Sequence, residues 1–369
     1  MRILVFGAGS IGSFFGGLLS RKYDVTLFGR KKHMDEIKKN GLKITGKTNR
    51  VFYPKTGTKR GGKYDLIILT LKAYDTKKSM NTLKSIIDSN TIILSLQNGL
   101  GNEEIIVNSL KNKGFSKGCD GIPTGIPSIS GKLKEFSRGF DGNAKRFLET
   151  YGFAEQIRSC DGKVRSTFPS ILGKISDFSK GNKGVLRGIT NHGVIFVKPG
   201  EIHHSGMGKT VIGEIDGKKT ERIKKICSMF NNTGIKTKIS NDIKKDVWAK
   251  TIINSAINPV TAITGLKNGY LLKIPMLTKL MENICSEGVK VANREGVFFD
   301  SDVFEETKKT ASLTAENKSS MLQDLQNRKK TEIDFINGAI VEIGKKHGID
   351  TPLNSMLTVL VKVLEKRNM

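Results

Sequence analysis

The chain opens Arg2-Ile3-Leu4-Val5-Phe6-Gly7-Ala8-Gly9-Ser10-Ile11-Gly12-Ser13-Phe14-Phe15, and the reading of these residues organises everything after them. An apolar run of strand formers leads directly into a G-x-G-x-x-G pattern, followed by an apolar helical stretch through Phe14, Phe15, Leu18 and Leu19. Strand, glycine turn and helix in that order predict a dinucleotide cradle. Gly7 permits the tight turn, Gly9 lets backbone approach a pyrophosphate, and Gly12 lets helix and strand pack closely. Ser10 and Ile11 lie at the helix start, where a phosphate would sit.

Working outward, Val25-Thr26-Leu27-Phe28 reads as a second strand, Leu66 to Leu69 as a buried strand, Thr76 to Ile87 as a helix and Ile92 to Leu96 as another strand. Short apolar strands alternating with helices predict a parallel sheet covered on both faces. From about residue 112 to 182 the periodicity largely disappears into Gly, Ser and Lys, with a weak helical stretch around Ala144 to Tyr151, and the segment reads as an insertion. Val185 to Gly188 and Gly193 to Val197 then read as antiparallel strands completing the same sheet. A helix over about Thr220 to Asn231 and a strand near Thr237 to Ser240 follow. The rest is helical: Asp242 toward Ile257, Pro275 to about Glu295, about Ser319 to His347, and Pro352 to about Lys366. The expected fold class is an α/β Rossmann-type N-terminal domain, residues 1–240, followed by an all-α C-terminal domain, residues 241–369.

The 369 residues carry 62 Lys and Arg against 35 Asp and Glu, a net charge of +27, which raises the question of polyanionic partners. The cations are scattered rather than gathered into a tail or interleaved with aromatics, so the expectation is a lysine-rich surface that attracts phosphorylated small molecules, without nucleic acid as a partner. A nucleotide-sensing or nucleic-acid-binding protein on the same scaffold is the competing reading from another class. Cys119, Cys160, Cys227 and Cys285 have no metal-ligand or disulfide-framework spacing, and no apolar run is long enough to span a bilayer. With no leader pattern before Ile3, a soluble cytoplasmic protein with no membrane association is expected.

Where NAD-preferring cradles usually place an acid, about 20 residues on, this chain has Phe28-Gly29-Arg30-Lys31-Lys32. A carboxylate there would repel a 2′-phosphate, whereas Arg30 can fork onto one, so NADP(H) is the expected cofactor. Lys250, Asn254 and Asn258 recur every four residues and fall on one helix stripe. That stripe either lines an interdomain cleft or faces solvent, and the spacing does not choose. His192, His203 and His204 lack a third ligand at recognisable spacing, so no metal is expected.

Taken together, Gly7 to Gly12, Leu71-Lys72-Ala73-Tyr74-Asp75-Thr76, Leu96-Gln97-Asn98-Gly99, Lys250 to Pro259, Lys267-Asn268-Gly269, Ser319 to Asp324 and Thr331 to Gly338 resemble the ketopantoate reductase (2-dehydropantoate 2-reductase) family. Only the segment from about residue 112 to 182 has no counterpart in that resemblance. It implies hydride transfer from NADPH to the C2 carbonyl of ketopantoate, giving pantoate for pantothenate and coenzyme A synthesis, in a homodimer. It implies Lys250 as general acid and Glu332 as the carboxylate that orients it. Asn98, Asn254, Asn258, Asn268 and Ser320 would hold the substrate together with Lys250, while Lys72 and Asn98 would lie by the cofactor. A reductase of another branched 2-oxo acid is the near alternative. On one straight helix Ser320 and Glu332 would stand about 18 Å apart, too far to grip the same end of a small acid.

Overall fold

Strand β1 (Arg2–Phe6) is apolar on both faces: Ile3 and Val5 enter one core cluster, Leu4 and Phe6 another. A strand buried on both sides belongs in the middle of a parallel sheet. β1 pairs in parallel with β2 (Asp24–Phe28) on one side and β6 (Leu66–Leu69) on the other. The structure is a computed structural model that describes residues 1–58, 62–111 and 184–368. The insertion expected at about 112–182, with its helical stretch, lies outside the described residues.

Beyond β6 lie β7 (Ile92–Ser95), then β8 (Val185–Thr190), β11 (Thr210–Glu214) and β12 (Thr237–Ile239); β5 (Lys55–Gly57) closes the other edge. The order β12-β11-β8-β7-β6-β1-β2-β5 has six parallel strands, with β11 antiparallel to β8 and β12 following β11. Helices α1 (Ser10–Leu19), α2 (Lys31–Asn40), α3 (Thr76–Leu83) and α4 (Asn102–Lys111) make the connections. Because the chain leaves β1 for β2 on one side and later returns to β6 on the other, a crevice opens at the carboxyl ends of β1 and β6, where such sheets bind ligands.

Two expectations about strands need correction. β8 runs parallel to β7 and is antiparallel only to β11. β9 (Gly193–Lys198) does not join that sheet; it pairs antiparallel with β10 (Glu201–Gly206), which lies parallel to β3 (Leu42–Gly46), and β4 (Arg50–Phe52) completes a second sheet of order β4-β3-β10-β9. β9 is largely exposed where a strand of the central sheet would be buried.

After a helix Glu221–Asn232 and β12, the chain is helical. The long helix runs Ile243–Thr264, past the expected end at Ile257 and through Pro259. Proline removes the hydrogen bond to the carbonyl four residues back. Here that carbonyl, of Ser255, accepts from Asn337 Nδ2 at 3.0 Å, so the helix continues. The helix expected over about Ser319 to His347 is instead two helices, Ser320–Gln326 and Asn337–Lys346, joined by a loop and a 3-10 turn Ile333–Phe335. Arg328 takes a positive φ of 52°, Lys329 N donates to Asp324 O (2.8 Å), and Thr331 N donates to Glu365 Oε1 (2.6 Å). That break voids the straight-helix separation between Ser320 and Glu332.

Candidate active site

At the end of β1, Gly7 has a φ of +111°, and a Cβ there would sit 2.5 Å from Leu71 N. A Cβ on Gly12 would meet Gly7 O at 2.3 Å. Gly9 differs, because its Cβ would come no nearer to protein than 3.9 Å. Fold packing therefore demands glycine at Gly7 and Gly12, while the space over Gly9 is open. No side chain caps α1 and its first turn holds no acid, so the N–H groups at Ser10 and Ile11 can receive an anion.

A cleft of about 780 Å³ adjoins this loop, lined by Phe6, Phe28, Arg30, Asp75 and, from α3, Lys78 and Thr82. Phe6 and Phe28 stack with ring centroids 4.5 Å apart. Arg30 is exposed at the start of α2, so its guanidinium is available to a phosphate. Nothing in the sequence sets Lys78 apart from the many scattered cations.

Three loops that sequence places far apart meet at Glu332, which is 4% exposed. Its Oε1 accepts from Ala73 N (3.1 Å), and its Oε2 accepts from Asn98 Nδ2 (3.1 Å) and faces Lys72 Nζ at 3.4 Å. Lys72 also donates to Asp324 Oδ2 at 2.6 Å. Burial works against the Lys72 ammonium, but the Glu332 and Asp324 carboxylates outweigh it and hold the pKa above the usual lysine value. Burial pushes the Asp324 carboxyl up despite Lys72. Lys72, Asn98 and Glu332 thus form one hydrogen-bonded cluster, and Asp324, unanticipated from sequence, belongs to it.

Lys250, partly buried on the long helix, donates to Thr190 O at 2.6 Å, at the end of β8. Burial, and after it the Arg187 guanidinium, lower its pKa to about 8, with Glu332 partly offsetting both. Glu332 therefore acts on Lys250 through its field, while its own hydrogen bonds go to Ala73, Lys72 and Asn98. Arg187, 1% exposed, donates to Ser95 Oγ (3.0 Å) and Gly99 O (2.8 Å) and lies 3.4 Å from Glu103 Oε2. Sequence reasoning passed over it, although an arginine inside Val185-Leu186-Arg187-Gly188-Ile189 is the signal of a buried charge that must be paired.

Asn254 is partly exposed one turn beyond Lys250, and Asn258, 6% exposed, lies a further turn on. Their helix packs against the other helices and β8, so the stripe does not simply face solvent. Asn268 is buried; its Nδ2 donates to Thr314 Oγ1 (2.9 Å) and its Oδ1 has no partner. Ser320 is exposed, whereas its neighbour Ser319 caps the helix, receives the Thr261 hydroxyl at 2.7 Å and reaches Asn258 O at 3.5 Å. The serine joined to the long helix is thus Ser319. Among the described residues no three His, Cys, Asp or Glu side chains gather as a metal site, and no helix is long and apolar enough to cross a membrane.

Family models described as ketopantoate reductase PanE/ApbA and its C-terminal part match residues 3–119 and 242–365. A 2-dehydropantoate 2-reductase of Pyrococcus horikoshii is 35% identical over 367 residues, covering 99% of this chain and 98% of that protein. One of Archaeoglobus fulgidus is 31% identical over 368 residues, with 99% and 98% covered. The crystal structure of a PanE/ApbA family ketopantoate reductase from Ralstonia eutropha JMP134 shares the fold, with a TM-score of 0.74 at 24% identity over 100% of this chain and 99% of that one. With sequence similarity running through both the glycine-loop half and the helical half, the chain belongs to the ketopantoate reductase family of oxidoreductases.

Proposed function

We propose that this protein reduces 2-dehydropantoate to pantoate with NADPH, a step toward pantothenate and coenzyme A. The observation that carries the reading is Lys250: a lysine with its pKa lowered to about 8, standing at the end of β8 within the field of Glu332. The resemblance of relatives named 2-dehydropantoate 2-reductase supports the substrate. When bound, the nicotinamide dinucleotide supplies a hydride to the C2 carbonyl carbon.

The chain's own residues do the rest. Gly7, Gly9, Ser10, Ile11 and Gly12 would hold the pyrophosphate, Arg30 and Lys78 a 2′-phosphate, and Lys72 and Asn98 the nicotinamide side. Lys250 Nζ gives its proton to the carbonyl oxygen as negative charge builds there, which completes the hydroxyl, and water then reprotonates the amine. Thr190 O and the Glu332 charge keep the ammonium in place. Asn98, Asn254, Asn258 and Asn268 offer amides to the substrate's hydroxyl and carboxylate; Asn268 Oδ1, buried without a partner, suits a hydroxyl donor. Ser320, exposed at its helix start, contributes only where substrate reaches that edge.

The test is loss of NADPH absorbance on adding 2-dehydropantoate, with NADH and Lys250→Ala in parallel. Turnover with NADPH is expected to drop about a hundred- to ten-thousandfold in the variant while NADPH binding persists. Absence of turnover in the parent protein despite NADPH binding would overturn the substrate assignment, and equal turnover with NADH would overturn the Arg30 argument.

A further inference from the structure

The segments that follow β6 and β7 leave the sheet side by side, because Leu69 and Ser95 pair at their roots. One presents Ala73 N to Glu332 and the other presents Asn98. They are joined by a row of polar side chains, Arg187, Ser95, Gln97, Thr76 and Asn102, none more than 3% exposed. Arg187 Nη1 donates to Ser95 Oγ (3.0 Å), Ser95 Oγ to Gln97 Oε1 (3.1 Å), Gln97 Nε2 to Thr76 Oγ1 (2.7 Å) and Thr76 Oγ1 to Ala73 O (2.7 Å). Gln97 Nε2 also crosses to Leu71 O at 3.2 Å.

The direction of each link is fixed by what its ends can do. A guanidinium only donates and a carbonyl only accepts, so the Gln97 amino group must face Leu71, the Ser95 proton must turn to Gln97, and the Thr76 proton must go to Ala73. Asn102 Nδ2 donates to Asn98 O (2.9 Å) and Arg187 Nη2 to Gly99 O (2.8 Å), which holds the other segment as well. Buried polar side chains are costly where apolar ones could fill the same space, unless each finds a partner. Here the loop backbone they hold is that of Leu71, Ala73, Asn98 and Gly99, in the two segments that grip Glu332.

We propose that Gln97 and Thr76 are positioning residues: they fix the spacing between the Ala73 segment and the Asn98 segment, and thereby the aim of the Glu332 carboxylate, gripped at Oε1 by one and at Oε2 by the other. The inference rests on the reduction proposed above, in which the Glu332 charge keeps Lys250 in place. Both residues act through Glu332.

The test compares Thr76→Val, which keeps the shape but removes the hydroxyl, with Thr76→Ser, which keeps the hydroxyl. One readout is kcat/KM for 2-dehydropantoate with NADPH. The other is the titration of Lys250 in the unliganded protein, taken from the pH dependence of its acetylation by acetic anhydride and read by peptide mass spectrometry. Thr76→Val is expected to lower kcat/KM roughly ten- to a hundredfold, the cost of a small misplacement around a reacting centre. It should also move the Lys250 titration to lower pH, because Glu332 is the charge that holds it up against burial and Arg187. Thr76→Ser should restore both. Ser95→Ala, a smaller truncation, cuts the same row one link before Gln97; it should act in the same direction, and it decides the matter if Thr76→Val does not fold. A Thr76→Val protein that loses Tm but keeps the parent kcat/KM and Lys250 titration, or a Thr76→Ser protein that restores neither, would overturn the inference. If the parent protein does not turn over 2-dehydropantoate, the substrate reading fails, and the Lys250 titration, which needs no substrate, decides this inference alone.

Discussion

Lys250 has to part with a proton during turnover, and burial has already brought its pKa near neutrality. Below about pH 8 the ammonium holds its proton; above it the acid form is lost. The expected kcat/KM is therefore flat on the acid side of pH 8 and falls about tenfold per unit above it, as a pH–rate profile would show. Arg187→Leu removes a charge that depresses Lys250 and should move that limb to higher pH, in whatever fraction of the variant folds. The glycines separate fold from ligand. Gly12→Ala drives a methyl into Gly7 O and should lower Tm, whereas Gly9→Ala should leave Tm nearly unchanged while weakening NADPH binding, measured by cofactor fluorescence. The motif glycines were legible because strand, glycine turn and helix follow one another at a known spacing, whereas Arg30 and Lys250 stood out only as candidates, the Lys250 stripe leaving open whether it faced a cleft or solvent. Asp324 was not legible, since its partner Lys72 lies on a distant segment; the apolar strand around Arg187 signals its burial, but not its partners Ser95 and Gly99.

At the level of elements, the passage of the long helix through Pro259 depends on a side chain from another helix. Asn337 Nδ2 serves the Ser255 carbonyl and also donates to Asn354 Oδ1 at 3.0 Å, and Asn354 in turn donates to Glu287 Oε2 at 2.7 Å. Asn337→Ala leaves a buried carbonyl without its donor and should cost about 1–3 kcal/mol in denaturant unfolding. The break after Gln326 escaped the sequence reading for a physical reason. Met321, Leu322, Leu325, Ile333, Ile336, Ile340 and Ile343 keep a helix-like apolar rhythm across it, because both pieces bury their apolar sides. What ends the first helix is one left-handed residue, Arg328, and the capture of Thr331 by Glu365, neither of which periodicity registers. The same break turns Glu332 toward Ala73 and Asn98.

For the molecule as a whole, the parallel sheet and the helical C-terminal region followed from alternating apolar runs, but the second sheet did not. Its strands are short, and β10 pairs with β3 from a remote part of the chain, so proximity in sequence sent β9 to the wrong sheet. That sheet helps bury neutral histidines. His33, 3% exposed, accepts from Gly200 N at Nδ1 and meets Ser13 Oγ at 2.9 Å; burial lowers its pKa to about 4, as it does for His192. Between about pH 6.5 and 4 the unfolded chain takes up protons that the folded one refuses, so stability should fall as pH falls through that window. His33→Gln should show a shallower decline of Tm over the same range.

The bonds of Lys72 to Asp324 and Glu332 join residues 252 and 260 positions apart. Translation delivers roughly 5–20 residues per second, so those carboxylates leave the ribosome on the order of tens of seconds after the lysine they hold. A nascent chain can close its glycine loop long before it owns the groups that anchor Lys72 and Asn98. Premature stop codons before Asp324 would then yield polypeptides with the cradle but without the cluster, and catalytic competence would arrive only with the closing part of synthesis.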